Sequence, residues 1–241
     1  MTLTSSTGFR RRIRIMPERF SVTAALEDDV HAMAVTLEHD DELIIRVTPH
    51  MARWPWSNCP GAKAVLEQTF IGLPICSADP RSRKRLNCTH LYDLAELAVS
   101  HAVDTDATVY DIAVSDTIDG HNRAELLLNG ELSLAFDLIE DVVQAPEAAK
   151  GLHLMHLREW TTTLSGKERE WARILQWVSL IAHSRQMSWT IGEVPDPQMG
   201  ESCFNYQPES RKTTRRVGPR QDFSQGGREP LSSFDGKAFR A

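Results

Sequence analysis

The residues Asn87-Cys88-Thr89-His90-Leu91-Tyr92-Asp93-Leu94 put a thiol, an imidazole, a phenol and a carboxylate within two turns, where a helix is expected to begin. Free amides and the positive dipole of a helix start favour anions, lower a thiol pKa and keep a histidine neutral. A neutral His90 there can act as a base. Asp93 lies three residues on, a neighbour on the helix surface that can orient the ring. The competing reading is that His90 only caps or packs. A second cluster, Arg53-Trp54-Pro55-Trp56-Ser57-Asn58-Cys59-Pro60, offers two indoles on a rigid segment beside a guanidinium. It suits an aromatic ligand whose oxyanion Arg53 balances, or else fills a core or a subunit interface. The third candidate is His31, in the apolar run Val30 to Val35, where strand parity puts it on one face with Met33 and Val35. It is either a satisfied core group or the second titrating group of a pocket.

Other chemistries lack their motifs. There is no Cys-x-x-Cys, no His-x-x-x-His, no glycine-rich dinucleotide or phosphate loop and no Gly-x-Ser-x-Gly elbow. Zinc or iron therefore requires a tertiary site drawing on His31 or His121, with His90, Cys88 and another ligand converging. No metal and no cofactor is expected.

Several elements must position these groups. Alternation at 12–15, 20–24, 31–37 and 43–47 predicts a meander of antiparallel strands with acidic turns at Glu27-Asp28-Asp29 and His39-Asp40-Asp41-Glu42. Pro60 to Phe70 reads as a short helix stopped by Gly72 and Pro74, and Thr89 to Ala102 as a second. A strand follows at 108–114. Ala124 to Phe136 forms a hairpin about Asn129-Gly130, because both central residues of a type I′ turn need positive φ. Leu138 to Val143 extends its second strand, whereas 152–160 fits helix and strand equally. Ser165 with Glu168 matches a capping box that opens a helix to about Gln186. Beyond Ile191 prolines, glycines, serines and charges dominate, so this stretch buries too little apolar surface to order itself alone. The expected fold is a single α+β domain over 1–190, an antiparallel sheet or partial barrel packed with two to three helices. Residues 191–241 form an extended or disordered arm that wraps a neighbouring subunit through Phe204, Tyr206, Phe223, Phe234 and Phe239.

Composition narrows the setting. The 241 residues are 41% hydrophobic and 25% charged, with 33 acidic and 27 basic side chains and a formal charge of −6. A weak negative charge argues against nucleic acid as a partner. No apolar run reaches the roughly 20 residues that a spanning helix needs. No apolar signal core follows the N-terminal arginines, which predicts a cytoplasmic protein without a membrane partner.

Taken in order, His31-x-Met33, Val35-Thr36-Leu37, Cys59-Pro60-Gly61-Ala62, Leu66, Ile71-Gly72 and Cys88-Thr89-His90-Leu91 with Asp93-Leu94 make this sequence resemble the bacterial family called domain of unknown function 2889. The resemblance covers roughly residues 10–105. Asn87 stands where a glycine is usual and Asp93 where a glutamate is usual. It implies a shared fold and draws attention to His31, Cys88 and His90 without supplying a reaction.

The residues themselves suggest a cofactor-independent lyase on a small aromatic substrate. One example is a lignin-derived phenolic dimer that loses formaldehyde by carbon–carbon cleavage. In that reading His90 is the base, Asp93 orients it, and His31 or Tyr92 is the acid. Arg53, Trp54, Trp56 and Cys88 hold the substrate. The alternatives are a metal-dependent hydrolase or oxygenase and a non-catalytic oligomeric binding or scaffold protein.

Overall fold

The computed structural model describes residues 7–76, 81–196, 200–225, 227–236 and 238–239. The expected arm at 191–241 thus lies partly outside the described residues. Among those described are eight antiparallel strands and five α-helices, an α+β protein. No described helix is long and apolar enough to cross a membrane. The chain divides into two compact units: Met1–Arg12, Val109–Ser188 and Asp222–Pro230; and Ile13–Thr108, Trp189–Gln221 and Leu231–Ala241. This division does not follow the expected boundary at residue 190.

In the first unit β5 (Thr108–Ser115), β6 (His121–Leu128), β7 (Glu131–Ile139) and β8 (Val142–Ala145) pair antiparallel in sequence order. The β6–β7 turn is Asn129-Gly130, with φ of 49° and 86°. That is the left-handed backbone the dipeptide favours. Leu138 to Val143 does not prolong one strand. Glu140 and Asp141 adopt φ of 47° and 63° and reverse the chain into β8, a turn that no glycine advertises. The undecided stretch at 152–160 is a 3-10 turn, Leu154–His156, followed by α3 (Arg158–Thr163). Then α4 (Gly166–Ala182) buries Ile174, Leu175 and Val178 along one face. Its N-cap Ser165 makes no side-chain cap bond. The predicted capping box is absent, and the apolar face carries the helix.

The second unit holds the predicted chemistry. β2 (Ser21–Asp28), β3 (Ala32–His39) and β4 (Ile44–Arg53) pair antiparallel in order, beside residues of β1 (Gly8–Glu18). α1 (Ala62–Phe70) packs on β4, and α2 (Thr89–Ser100) on β2 and β3. Met33, Val35 and Leu37 of β3 are fully buried. On the alternate parity the small residues Ala25 and Ala34 lie opposite each other and leave room for Leu231 and Phe234. Both faces of these strands are therefore covered, which is why Ala32 and Ala34 are as buried as their neighbours.

Residues 189–221 are bonded within this same unit. The Ser57 amide donates to the Arg215 carbonyl at 2.8 Å, and Asn205 Nδ2 lies 3.1 Å from Cys59 Sγ. Thr214 Oγ1 in turn donates to Asn205 Oδ1 at 2.9 Å. The Arg216 guanidinium lies 4.3 Å from the Trp56 ring centre and 4.2 Å from that of Trp189, and its Nε reaches Glu193 at 3.1 Å. Cation–π contacts of this kind contribute about 0.5 to 2 kcal/mol each, and they give a polar segment its attachment points.

Candidate functional site

The β2–β3 turn places the first imidazole. β2 ends at Asp28, and β3 begins at Ala32 rather than at the expected His31, so His31 sits in the turn. Asp28 is fully buried, and its Oδ1 accepts the Val30 and His31 backbone N–H groups, each at 2.7 Å. The same oxygen lies 3.1 Å from His31 Nδ1. A carboxylate held by two backbone donors serves as an acceptor, so the shared hydrogen belongs on Nδ1. His31 Nε2 then carries the lone pair.

The second imidazole comes from the first turn of α2. Apolar residues Leu91, Leu94, Ala95 and Ala98 are buried at helical spacing and hold that end of the helix on the strands. His90 thereby stacks on His31, with ring centres 3.7 Å apart and planes 26° from parallel. The two residues are 5% and 6% exposed, little enough that bulk water screens their rings weakly. At an effective dielectric near 20, two positive charges at that separation repel by about 4 kcal/mol. The pair therefore holds one positive charge far more readily than two, and Asp28 favours having that one. Such an arrangement can pass a proton between a base and an acid.

Sequence reasoning singled out both histidines but not Asp28, which it assigned to turn chemistry. The available signal was Asp28-x-x-His31 at a strand end, where a carboxylate can cap the turn and reach the ring together. Asp93 is not the orienting group: its carboxylate pairs with Lys84. Tyr92 is a fully buried core residue with its ring 5.4 Å from that of Phe70. Trp54 is half-buried. Trp56 is enclosed by Arg216 and by the edge of Tyr206, 6.1 Å away. Burial pushes the Tyr206 phenol up to about 12. Arg53 turns toward its own chain, with Nη1 3.0 Å from Glu27 Oε1 and Nη2 donating to the Asp28 and His31 carbonyls.

Cys88 departs from the expected activation. Burial raises its thiol to about 12, outweighing the bonds from the Leu91 and His90 amides that pull the other way. It is the neutral thiol throughout the physiological range, becoming a thiolate only in strong alkali. In iodoacetamide labelling at pH 8, exposed Cys76 is expected to react in the folded protein and Cys88 only after unfolding in urea. Peptide mass mapping checks this; rapid native labelling of Cys88 would contradict it.

Donor atoms of Asp28, His31 and His90 lie within 4.8 Å of one another. Two imidazoles and a carboxylate suit zinc or ferrous iron by type. The stack does not suit them by direction, since an ion about 2 Å from each nitrogen lies in the plane of both rings. Rings stacked with centres 3.7 Å apart and planes 26° from parallel do not direct both lone pairs at one such point, so one ring would have to rotate.

Fold and site thus define an α+β protein that buries an Asp–His–His cluster inside one unit. Residues 11–104, which contain all three groups, match the sequence model of the family described as "Protein of unknown function (DUF2889)". A search of the curated proteins found no match.

Proposed function

We propose that this protein is an acid–base catalyst of the lyase class that works on a small aromatic alcohol without a cofactor. The observation that supports this reading is the His31–His90 stack with Asp28 on His31 Nδ1. His31 Nε2 takes the proton from the substrate hydroxyl. The oxygen then forms a carbonyl, and the adjoining carbon–carbon bond breaks. Its electron pair moves to the carbon left behind, where conjugation with the aryl ring spreads the charge. The protonated imidazole pair returns the proton to that carbon, so a hydroxymethyl substrate yields formaldehyde and the shortened aryl product. No electron is gained or lost overall. These roles reverse the sequence-based assignment, in which His90 was the base.

The test is formaldehyde release from a panel of lignin-derived phenolic dimers bearing a hydroxymethyl group, compared with the same dimers methylated on that oxygen. Turnover of the free alcohols alone supports the reading. Equal turnover of the methylated set, or no turnover by any member, overturns it. Three donor atoms within 4.8 Å of one another support a second reading, a metal-dependent hydrolase or oxygenase in which one ring has rotated. One equivalent of tightly held zinc or iron, lost in His31→Ala and His90→Ala, would replace the first reading with the second. A scaffold role draws less support. Tyr206, Phe234 and Phe239, three of the five aromatic residues expected to grip a neighbour, pack on this chain's own Trp56, Ala25 and Ala34 or on each other.

A further inference from the structure

We infer that Arg53, Glu27 and the main chain of Leu231 form a clamp that positions the Asp28–His31 turn, which makes Arg53 a positioning residue rather than a partner for the substrate. The inference rests on the acid–base reading for its catalytic meaning and on geometry for its existence. The β3–β4 register changes between Ala32, opposite Arg53, and Met33, opposite Met51. Ala52 has no counterpart, and the resulting bulge re-aims the end of β4. Arg53 thereby reaches both ends of the turn: Nη2 donates to the Asp28 carbonyl and lies 3.2 Å from the His31 carbonyl. A single planar guanidinium holds the two positions whose side chains form the carboxylate–imidazole bond. Lysine has no fork with which to do this.

Glu27 fixes the guanidinium from the other side. Its carboxylate is 1% exposed and divided between two donors, Oε1 with Arg53 Nη1 at 3.0 Å and Oε2 with the Leu231 amide at 2.7 Å. Leu231 adopts φ of 64°, a left-handed conformation that a bulky residue rarely takes. Backbone strain of this kind persists where its surroundings over-determine it. Here the Leu231 side chain packs with Ala25 and Ala34 while its amide points at a buried carboxylate. A second tie comes from Gln221, whose amide donates to the Asp29 carbonyl at 2.7 Å. Glu27 and Leu231 lie 204 residues apart in sequence, so the end of the chain is part of what sets the base.

The clamp is tested in the full-length protein with nitrogen-15 histidine, using long-range proton–nitrogen spectra that report which ring nitrogen carries the hydrogen. The wild type is expected to hold His31 as the Nδ1–H tautomer. Arg53→Lys and Glu27→Gln are each expected to give a mixture of tautomers and to lower kcat about tenfold with KM within twofold. An unchanged His31 tautomer in both Arg53→Lys and Glu27→Gln overturns the clamp, with or without a loss of kcat. If the wild type turns over none of the aryl alcohols, the lyase reading fails while the spectra still decide the clamp. The two failures are therefore separable.

Discussion

His31→Gln is expected to lower kcat for formaldehyde release at least about 100-fold, with the unfolding midpoint little changed. A positioned general base contributes roughly 10² to 10⁴ in rate. Glutamine supplies an amide N–H that can reach Asp28 but has no basic nitrogen where Nε2 stood. His90→Gln should also lower kcat, because the stacked pair that holds the proton between the two transfers loses one of its rings. The double variant should be little worse than either single one, since residues that act as a unit lose their effect together. Steady-state kinetics on the best aryl alcohol checks all three. Near wild-type turnover by His31→Gln would end the acid–base assignment. Losses that simply multiply in the double variant would show the rings acting independently.

What could be read beforehand follows from how far apart in sequence the deciding groups lie. Asn129-Gly130 announces its turn because the φ requirement is local, and Thr89–Ser100 announces its helix because the buried stripe repeats within three turns. Both histidines could be singled out for similar reasons, one beside a buried strand and one at a helix start. Their choice of carboxylate could not. Asp28 and Asp93 are each three residues from a histidine, and local spacing does not reveal that Lys84 claims Asp93 while two backbone amides hold Asp28 against His31. The acidic run at 27–29 looked like solvated turn chemistry, yet Glu27, Asp28 and Asp29 are all essentially buried. Glu27 is covered by Arg53 and Leu231, residues remote in the chain. The segment after Trp189 illustrates the same limit. Its composition gives no core of its own, and contacts with Trp56, Cys59, Ala25 and Ala34 are among those that give it somewhere to bind.

Asp28→Ala is expected to destabilise the fold by about 3 kcal/mol or more, while Asp28→Asn keeps most of the stability and loses the chemistry. Alanine removes the acceptor for the Val30 and His31 amides in a fully buried turn. A buried donor left unsatisfied costs about 1 to 3 kcal/mol, and here there are two. Asparagine can keep one carbonyl oxygen in the Oδ1 position and so retain both amide bonds. Its nitrogen then faces His31 Nδ1, which is 3.3 Å from Oδ2 in the wild type. Two donors cannot share that contact, so the imidazole is driven to accept at Nδ1 and to carry its hydrogen on Nε2. A ring in that tautomer has no lone pair to offer the substrate, and kcat should fall at least about 100-fold. Urea titrations separate the two variants, with a large drop in midpoint at unchanged slope for alanine and a small one for asparagine. If asparagine retained wild-type turnover, Asp28 would be only the cap of a turn. If alanine unfolded no more readily than asparagine, the two amide bonds would not be what holds that turn.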